Sequence, residues 1–101
     1  MLELGVQAGG SLDMWKSYFG QSLELHGLDI TPACKSLQDK DRSIQIHIGA
    51  TSDSEFMSAL ATKLSPIDIV LDDASHHSPD ILAAFEHLYP AVRSDEGGGV
   101  Y

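Results

Sequence analysis

The sequence predicts an α/β protein: a three-layer sandwich in which helices cover both faces of a mostly parallel, doubly wound sheet. Three observations carry this. Short apolar runs alternate with helix-patterned stretches along the whole chain. The loops between them are short, and strands joined through helices pair in parallel with right-handed crossovers. Three of the four strand ends carry glycines or carboxylates, and in open parallel sheets a ligand sits beyond the carboxyl ends, where strand order reverses.

The first strand is Leu2 to Val6, broken at once by Gly9, Gly10 and Ser11. A helix follows, with Ser11 as its N-cap, Leu12, Trp15 and Phe19 at helical spacing, and Gly20 as its stop. Leu23 to Ile30 reads as a second strand that ends at Asp29, and Pro32 opens a short helix through Leu37. Arg42 to Ile48 alternates polar residues with Ile44, Ile46 and Ile48, which predicts a third strand closed by Gly49 to Ser52. Ser52 or Asp53 caps the next helix, whose stripe is Phe56, Met57, Leu60 and Leu64 and whose end is Ser65-Pro66. Ile67 to Leu71 is the most strand-like run and reads as buried on both faces. It delivers Asp72-Asp73-Ala74-Ser75-His76-His77 at its C-terminal end. A helix from about Pro79 to Val92, a glycine-rich turn over residues 94–99 and an apolar start at Val100-Tyr101 complete the chain.

With 101 residues the chain has room for one domain. It is read as one cofactor-binding unit, residues 1–101, incomplete at its C-terminus. Fifteen acids against six Lys and Arg give a net charge of −9, which repels phosphate backbones and argues against nucleic acid as a partner. The single Cys34 forms no internal disulfide and fits a reducing cytoplasm. No apolar run approaches a membrane span, and no signal peptide opens the chain. A fourth strand left with an uncovered edge predicts poor stability in isolation or self-association, the latter as a homo-oligomer.

Two clusters carry candidate chemistry. Gly5, Gly9 and Gly10 form an E-x-G-x-x-x-G-G pattern directly after the first strand, where small residues let backbone N–H groups approach a ligand. Asp29 stands 24 positions after Gly5 at the end of the second strand, where an acid accepts hydrogen bonds from both hydroxyls of a ribose. Together they point to a nucleoside site, and a nicotinamide dinucleotide suits this pattern as well. In the second cluster, Asp72 and Asp73 repel each other unless one faces solvent or a cation or ammonium group lies between them. One of His76 and His77, placed over the strand ends, would be a neutral-pH base for a hydroxyl. Asp, Ser and Pro before a helix are also ordinary capping residues. His26 and His47 read as partners of local backbone, His87 as solvated, Trp15 as core or pocket lining, and Cys34 as a small buried hydrophobe.

The stretches LELGVQAGGSLDMW, HGLDITPAC and IDIVLDDASHHSPD together resemble the class I methyltransferase domain of the macrocin and mycinamicin type. These are metal-dependent sugar O-methyltransferases of macrolide biosynthesis, and the resemblance runs through essentially the whole chain. It implies a Rossmann-like methyltransferase fold, truncated after about four strands, and S-adenosylmethionine as cofactor. By matching position, Glu3, Gly5, Gln7, Gly9, Gly10 and Ser11 would wrap its methionine part, and Asp29 would hold the ribose. Asp72 joins the cofactor set, Asp73 is implied as a magnesium ligand and His76 as the catalytic base. The implied reaction is methyl transfer to a hydroxyl of a small molecule, such as a sugar of a natural product. Ala74 replaces a family glycine. Ala50 stands where the family has Asp after the third strand, which leaves adenine contact to backbone or Ser52. The remaining family metal ligands follow a fifth strand that only begins at Val100, so weak or no metal binding is expected of this chain. The alternatives are a noncatalytic nucleoside-binding module and a nicotinamide-dependent oxidoreductase.

Overall fold

The computed structural model describes residues 1–75, 77–95 and 97–101. Four parallel strands, β1 (Leu2–Leu4), β2 (Leu25–Asp29), β3 (Ile44–Ile48) and β4 (Val70–Asp72), form one sheet in the order β3-β2-β1-β4. The chain moves outward from β1 to β3 and then crosses back to the other side of β1. The order therefore reverses between β1 and β4.

Helix α1 (Gly10–Phe19) and a 3₁₀ segment at Pro32–Leu37 cover one face, while α2 (Ser54–Leu64) and α3 (Ser78–Leu88) cover the other. The pleat explains the division, because alternate residues of a strand point to opposite faces. Leu2, Leu4, Leu28 and Val70 join Met57, Leu60, Ala84 and Leu88 on the α2 and α3 side. Leu25, Ile44 and Ile46 join Leu12, Val6 and Cys34 on the α1 side. The predicted three-layer, doubly wound architecture is the one observed.

Several boundaries differ from the sequence reading, each for a local reason. The N-cap of α1 is Gly9, at φ +87°, and not Ser11, whose hydroxyl is engaged elsewhere. β2 starts at Leu25, since Lys16 is fully buried and donates its Nζ to the carbonyls of Gln21 and Leu23, fastening that stretch as a turn. β3 starts at Ile44, after a 3₁₀ turn over Lys40–Arg42 that Asp39 caps. Asp53 caps α2 by accepting from the Phe56 N–H at 3.1 Å. The long helix ends at Leu88 and tightens into a 3₁₀ turn over Tyr89–Ala91.

β4 was expected to be buried on both faces and open at its outer edge. Leu71 is exposed instead. The edge is met by two short pieces, since Ile67 bridges Val92 and Ile69 bridges Val100, both in parallel. Among the described residues no helix is long and apolar enough to cross a membrane.

Candidate functional site

The turns after all four strands meet at the carboxyl edge of the sheet. They enclose a cleft of about 150 Å³, lined by Gly5, Leu28, Asp29, Ile30, residues 49–52, Ala74, Ser75 and Asp80. This is where strand order reverses, the place that sheet geometry reserves for a ligand. Of the residues singled out from sequence, the structure brings Gly5, Asp29 and Ser52 to this cleft.

Asp29 closes the first turn from across the sheet. Its Oδ2 accepts the N–H groups of Val6 and Gln7, each at 3.0 Å, and its Oδ1 accepts that of Thr31 at 2.9 Å. Burial pushes its carboxyl up, but the bonds from Gln7, Thr31 and Val6 outweigh this and hold it below the ordinary carboxylate range. A carboxylate offers about four acceptor positions. Three are occupied by backbone, which leaves room for about one further hydroxyl and not for two.

Glu3 and Ser11 have a different place from the one expected. Glu3 points to the α1 face, buried at 3% exposure, with Oε1 accepting from the Ser11 hydroxyl at 2.5 Å and Oε2 from Trp15 Nε1 at 2.8 Å. These three side chains satisfy one another beneath the turn. Gly9 is buried against Leu37, while Gln7 and Gly10 are exposed and outside the cleft lining. Around the position of a Gly10 side chain there is open space, with no atom within 4 Å.

The first and fourth turns touch through Gly5. A Cβ there would lie 2.4 Å from the carbonyl oxygen of Asp73 and 2.6 Å from the Ala74 Cα, and the backbone is at φ +87°. Glycine is required at this position by contact with the neighbouring turn as well as by torsion.

In the fourth turn Asp72 Oδ1 accepts the Ala74 N–H at 3.3 Å. Its Oδ2 is buried and has no hydrogen-bond partner among the described residues. Burial, opposed by the Ala74 bond and helped by the charge of Asp73, pushes the Asp72 carboxyl up. Asp73 is exposed. Ser75 donates to Asp80 Oδ2 at 3.0 Å and accepts the His77 N–H at 3.0 Å, tying the turn to the start of α3. His76, assigned the base by resemblance, lies outside the described residues. Among the described residues no group of three or more His, Cys, Asp or Glu side chains could hold a metal ion.

Three features were not found from sequence. Ile30, 70% exposed, puts an apolar wall beside Asp29. Asp80 adds a second carboxylate to the cleft. Tyr101 carries a buried hydroxyl without a partner among the described residues, and burial, then the charge of Asp72, pushes it up to about 12. His77 is exposed, with Nδ1 3.6 Å from Asp80 Oδ2, whereas His26, His47 and His87 are engaged away from the cleft, contrary to the reading of solvated or backbone-bound rings. His26 meets His47 at 3.1 Å and Glu24 at 3.0 Å, and His87 joins the Ser54 hydroxyl at 3.1 Å to the Ala83 carbonyl at 2.7 Å. Cys34 is buried, and burial followed by the Asp29 charge pushes its thiol up, which suits a small hydrophobe.

No protein-family model matches the chain. All of it aligns, over 108 residues at 38% identity, with the mycinamicin VI 2''-O-methyltransferase of Micromonospora griseorubida, covering 25% of that protein. It likewise matches the demethylmacrocin O-methyltransferase of Streptomyces fradiae at 36% identity, covering 26% of it. The chain thus spans about a quarter of the length of these relatives. Among solved structures, the MycE methyltransferase of the mycinamycin pathway, in complex with Mg and SAH, superposes with a TM-score of 0.77 at 42% identity. The match covers 91% of this chain and 24% of that one. The same enzyme is also known in complex with Mg, SAH and mycinamycin VI. The ChuY anaerobillin reductase of Escherichia coli, at 10% identity and a TM-score of 0.66, shares the fold alone.

Proposed function

We propose, from the premise that this chain matches the macrocin and mycinamicin type of sugar O-methyltransferase in sequence and Rossmann-like fold, that it forms the S-adenosylmethionine-binding part of such an enzyme. The observation that supports this best is the make-up of the cleft. Among the described residues its lining holds two carboxylates, Asp29 and Asp80, and no lysine or arginine. S-adenosylmethionine brings a sulfonium and an ammonium group, which an acidic cleft attracts, whereas a nicotinamide dinucleotide brings two phosphate charges that it repels. The reductase reading, which the shared fold alone leaves open, is disfavoured by this charge balance.

The residues present fit the cofactor. Asp29 would accept one ribose hydroxyl with its remaining acceptor position, Ile30 would cover a face of the purine, and Ser52 with the backbone of residues 49–51 would meet its edge. The open side of Gly10 would admit the methionine end. When bound, the cofactor supplies an electrophilic methyl group on sulfur. The chain's part is to hold that group at the sheet edge, exclude water from it, and present the fourth turn to an incoming hydroxyl, with His76 as the base that removes its proton. A hydroxyl of a small molecule, a sugar of a natural product, is the acceptor class we infer from the relatives. A magnesium site does not fit the described residues on their own: Asp73 would offer one ligand, and the ion needs near-octahedral oxygen coordination. No step is assigned to it.

Equilibrium binding to this chain tests the proposal. S-adenosylhomocysteine should bind and NAD should not, and Asp29→Ala should weaken binding by the worth of one hydrogen bond to a charged group, about 1.5 to 3 kcal/mol. Binding of NAD with none of S-adenosylhomocysteine would sink the assignment.

A further inference from the structure

We propose that the Tyr101 hydroxyl is the partner of Asp72 Oδ2, which makes Tyr101 a positioning residue for the turn that walls the cofactor cleft. The cofactor part of this rests on the function proposed above; the pairing itself does not.

Val100 bridges Ile69 in parallel, so Tyr101 comes level with Val70, and Asp72, two residues further along β4, projects from the same face as Val70. That face is the one α3 covers, and the Tyr101 ring packs edge-on against Phe85 of α3, with centroids 5.0 Å apart at 75°. Burial, and then the charge of Asp72, push the Tyr101 phenol up. Both oxygens are sealed from solvent, and neither has a hydrogen-bond partner among the described residues. Buried polar atoms are nearly always paired. Three among the described residues are not; Arg93 Nε stands 2.9 Å from Asp68 Oδ1, and the other two are complementary, since an ionised carboxylate oxygen only accepts and a phenol donates.

The consequence runs through the other oxygen of the same carboxyl. Asp72 Oδ1 accepts the Ala74 N–H. Ala74 lines the cleft, and its Cα is one of the atoms against which Gly5 rests. Fixing Oδ2 fixes the plane of the carboxyl and therefore the Ala74 amide. Tyr101 touches neither cofactor nor substrate in this scheme; it acts through Asp72.

The test uses Tyr101→Phe, which removes one oxygen and keeps the ring against Phe85, together with Asp72→Asn and the double variant. Amide hydrogen exchange at Ala74, which needs no ligand, should speed up about tenfold in Tyr101→Phe, the size of one hydrogen bond. Asp72→Asn should do the same, and the double variant should exchange no faster than either single one. Tyr89→Phe, on the same aromatic stack, should change nothing. S-adenosylhomocysteine affinity should fall several-fold in Tyr101→Phe and remain unchanged in Tyr89→Phe. Unchanged exchange at Ala74 in Tyr101→Phe, or additive effects in the double variant, would overturn the pairing. If Tyr101→Phe does not fold, accelerated exchange in Asp72→Asn alone supports the pairing and unchanged exchange overturns it. Coupled exchange in a chain that binds no S-adenosylhomocysteine would instead overturn the cofactor reading and, with it, the positioning role.

Discussion

The turn after β1 and the turn after β4 lie against each other at the same sheet edge, yet their polar groups are treated in opposite ways. In the first, Glu3 is answered by Ser11 and Trp15, and the amides of Val6 and Gln7 are answered by Asp29. In the second, one Asp72 oxygen accepts the Ala74 N–H, the other is left to a group from the far end of the chain, Tyr101, and Asp73 stands exposed. A fully satisfied turn is a finished piece of scaffold, because each group would lose a bond if it moved. A turn that leaves a carboxylate exposed, as this one leaves Asp73, is where further chemistry can be added. The difference teaches that the glycine-rich motif, the more conspicuous in sequence, does more structural work than its pattern suggests, and that the acidic turn is the one with capacity to spare.

Gly5 is the contact through which the two turns depend on each other, and Gly5→Ala should have the largest effect. The new methyl group must sit at φ +87° and within 2.4 Å of the Asp73 carbonyl oxygen. Backbone strain and overpacking each cost about 1 to 3 kcal/mol, so a loss of about 3 kcal/mol or more is expected in urea unfolding followed through Trp15. A loss under about 1 kcal/mol, within the range of an ordinary surface change, would show that the turns are not braced on each other.

How much of this could be read from sequence varies with the range of the interaction. The alternation of strands and helices was legible because hydrophobic period is a local property, and so was the gathering of Gly5, Asp29 and Ser52 at one edge, which follows from topology. The burial of Glu3 was not read, although a signal existed. Ser11 and Trp15 are four apart on α1 and so share a face, which allows both to reach one carboxylate in the strand below. The His26 and His47 pair needed the register of β2 on β3, in which Leu28 stands opposite His47. Periodicity does not give register. Tyr101 and Asp72 were separated by nearly thirty residues and joined only by where the chain returns to the sheet.

A pH titration sharpens the comparison by isolating the carboxylate that closes the first turn, with an effect smaller than that of Gly5→Ala. The folded state holds Asp29 below its ordinary value of about 3.9, so the unfolded chain binds its proton first as pH falls. Its contribution is present above that value and is lost as pH drops through the lower folded value. His47 titrates in a separate window. Burial, and then the charges of His26, Lys63 and Lys35, lower it from 6.5 to about 4. The folded state therefore binds fewer protons than the unfolded one over that interval, and stability is full above about 6.5 and falls towards 4. Urea midpoints measured from pH 7 to pH 2.5 should show both losses. His47→Gln should remove the upper one and Asp29→Asn the lower one. An Asp29→Asn chain that keeps the full decline below pH 4 would mean that the first turn is not closed by a charge.

The smallest change in stability should come from Gly10→Ala, and for that reason it separates scaffold from site most cleanly. Gly10 opens α1, where alanine is the better helix former, and its added methyl group would meet no atom within 4 Å. Folding should thus be unchanged or improved by less than about 1 kcal/mol. If the rim of the first turn holds the methionine end of the cofactor, the same methyl group occupies space the ligand needs. S-adenosylhomocysteine affinity should then fall by about tenfold, or about 1.4 kcal/mol. A variant equal to the parent chain in both stability and affinity would put the ligand away from Gly10 and leave the first turn as scaffold alone, with the cleft between Asp29, Ser52 and Ala74 holding whatever is bound.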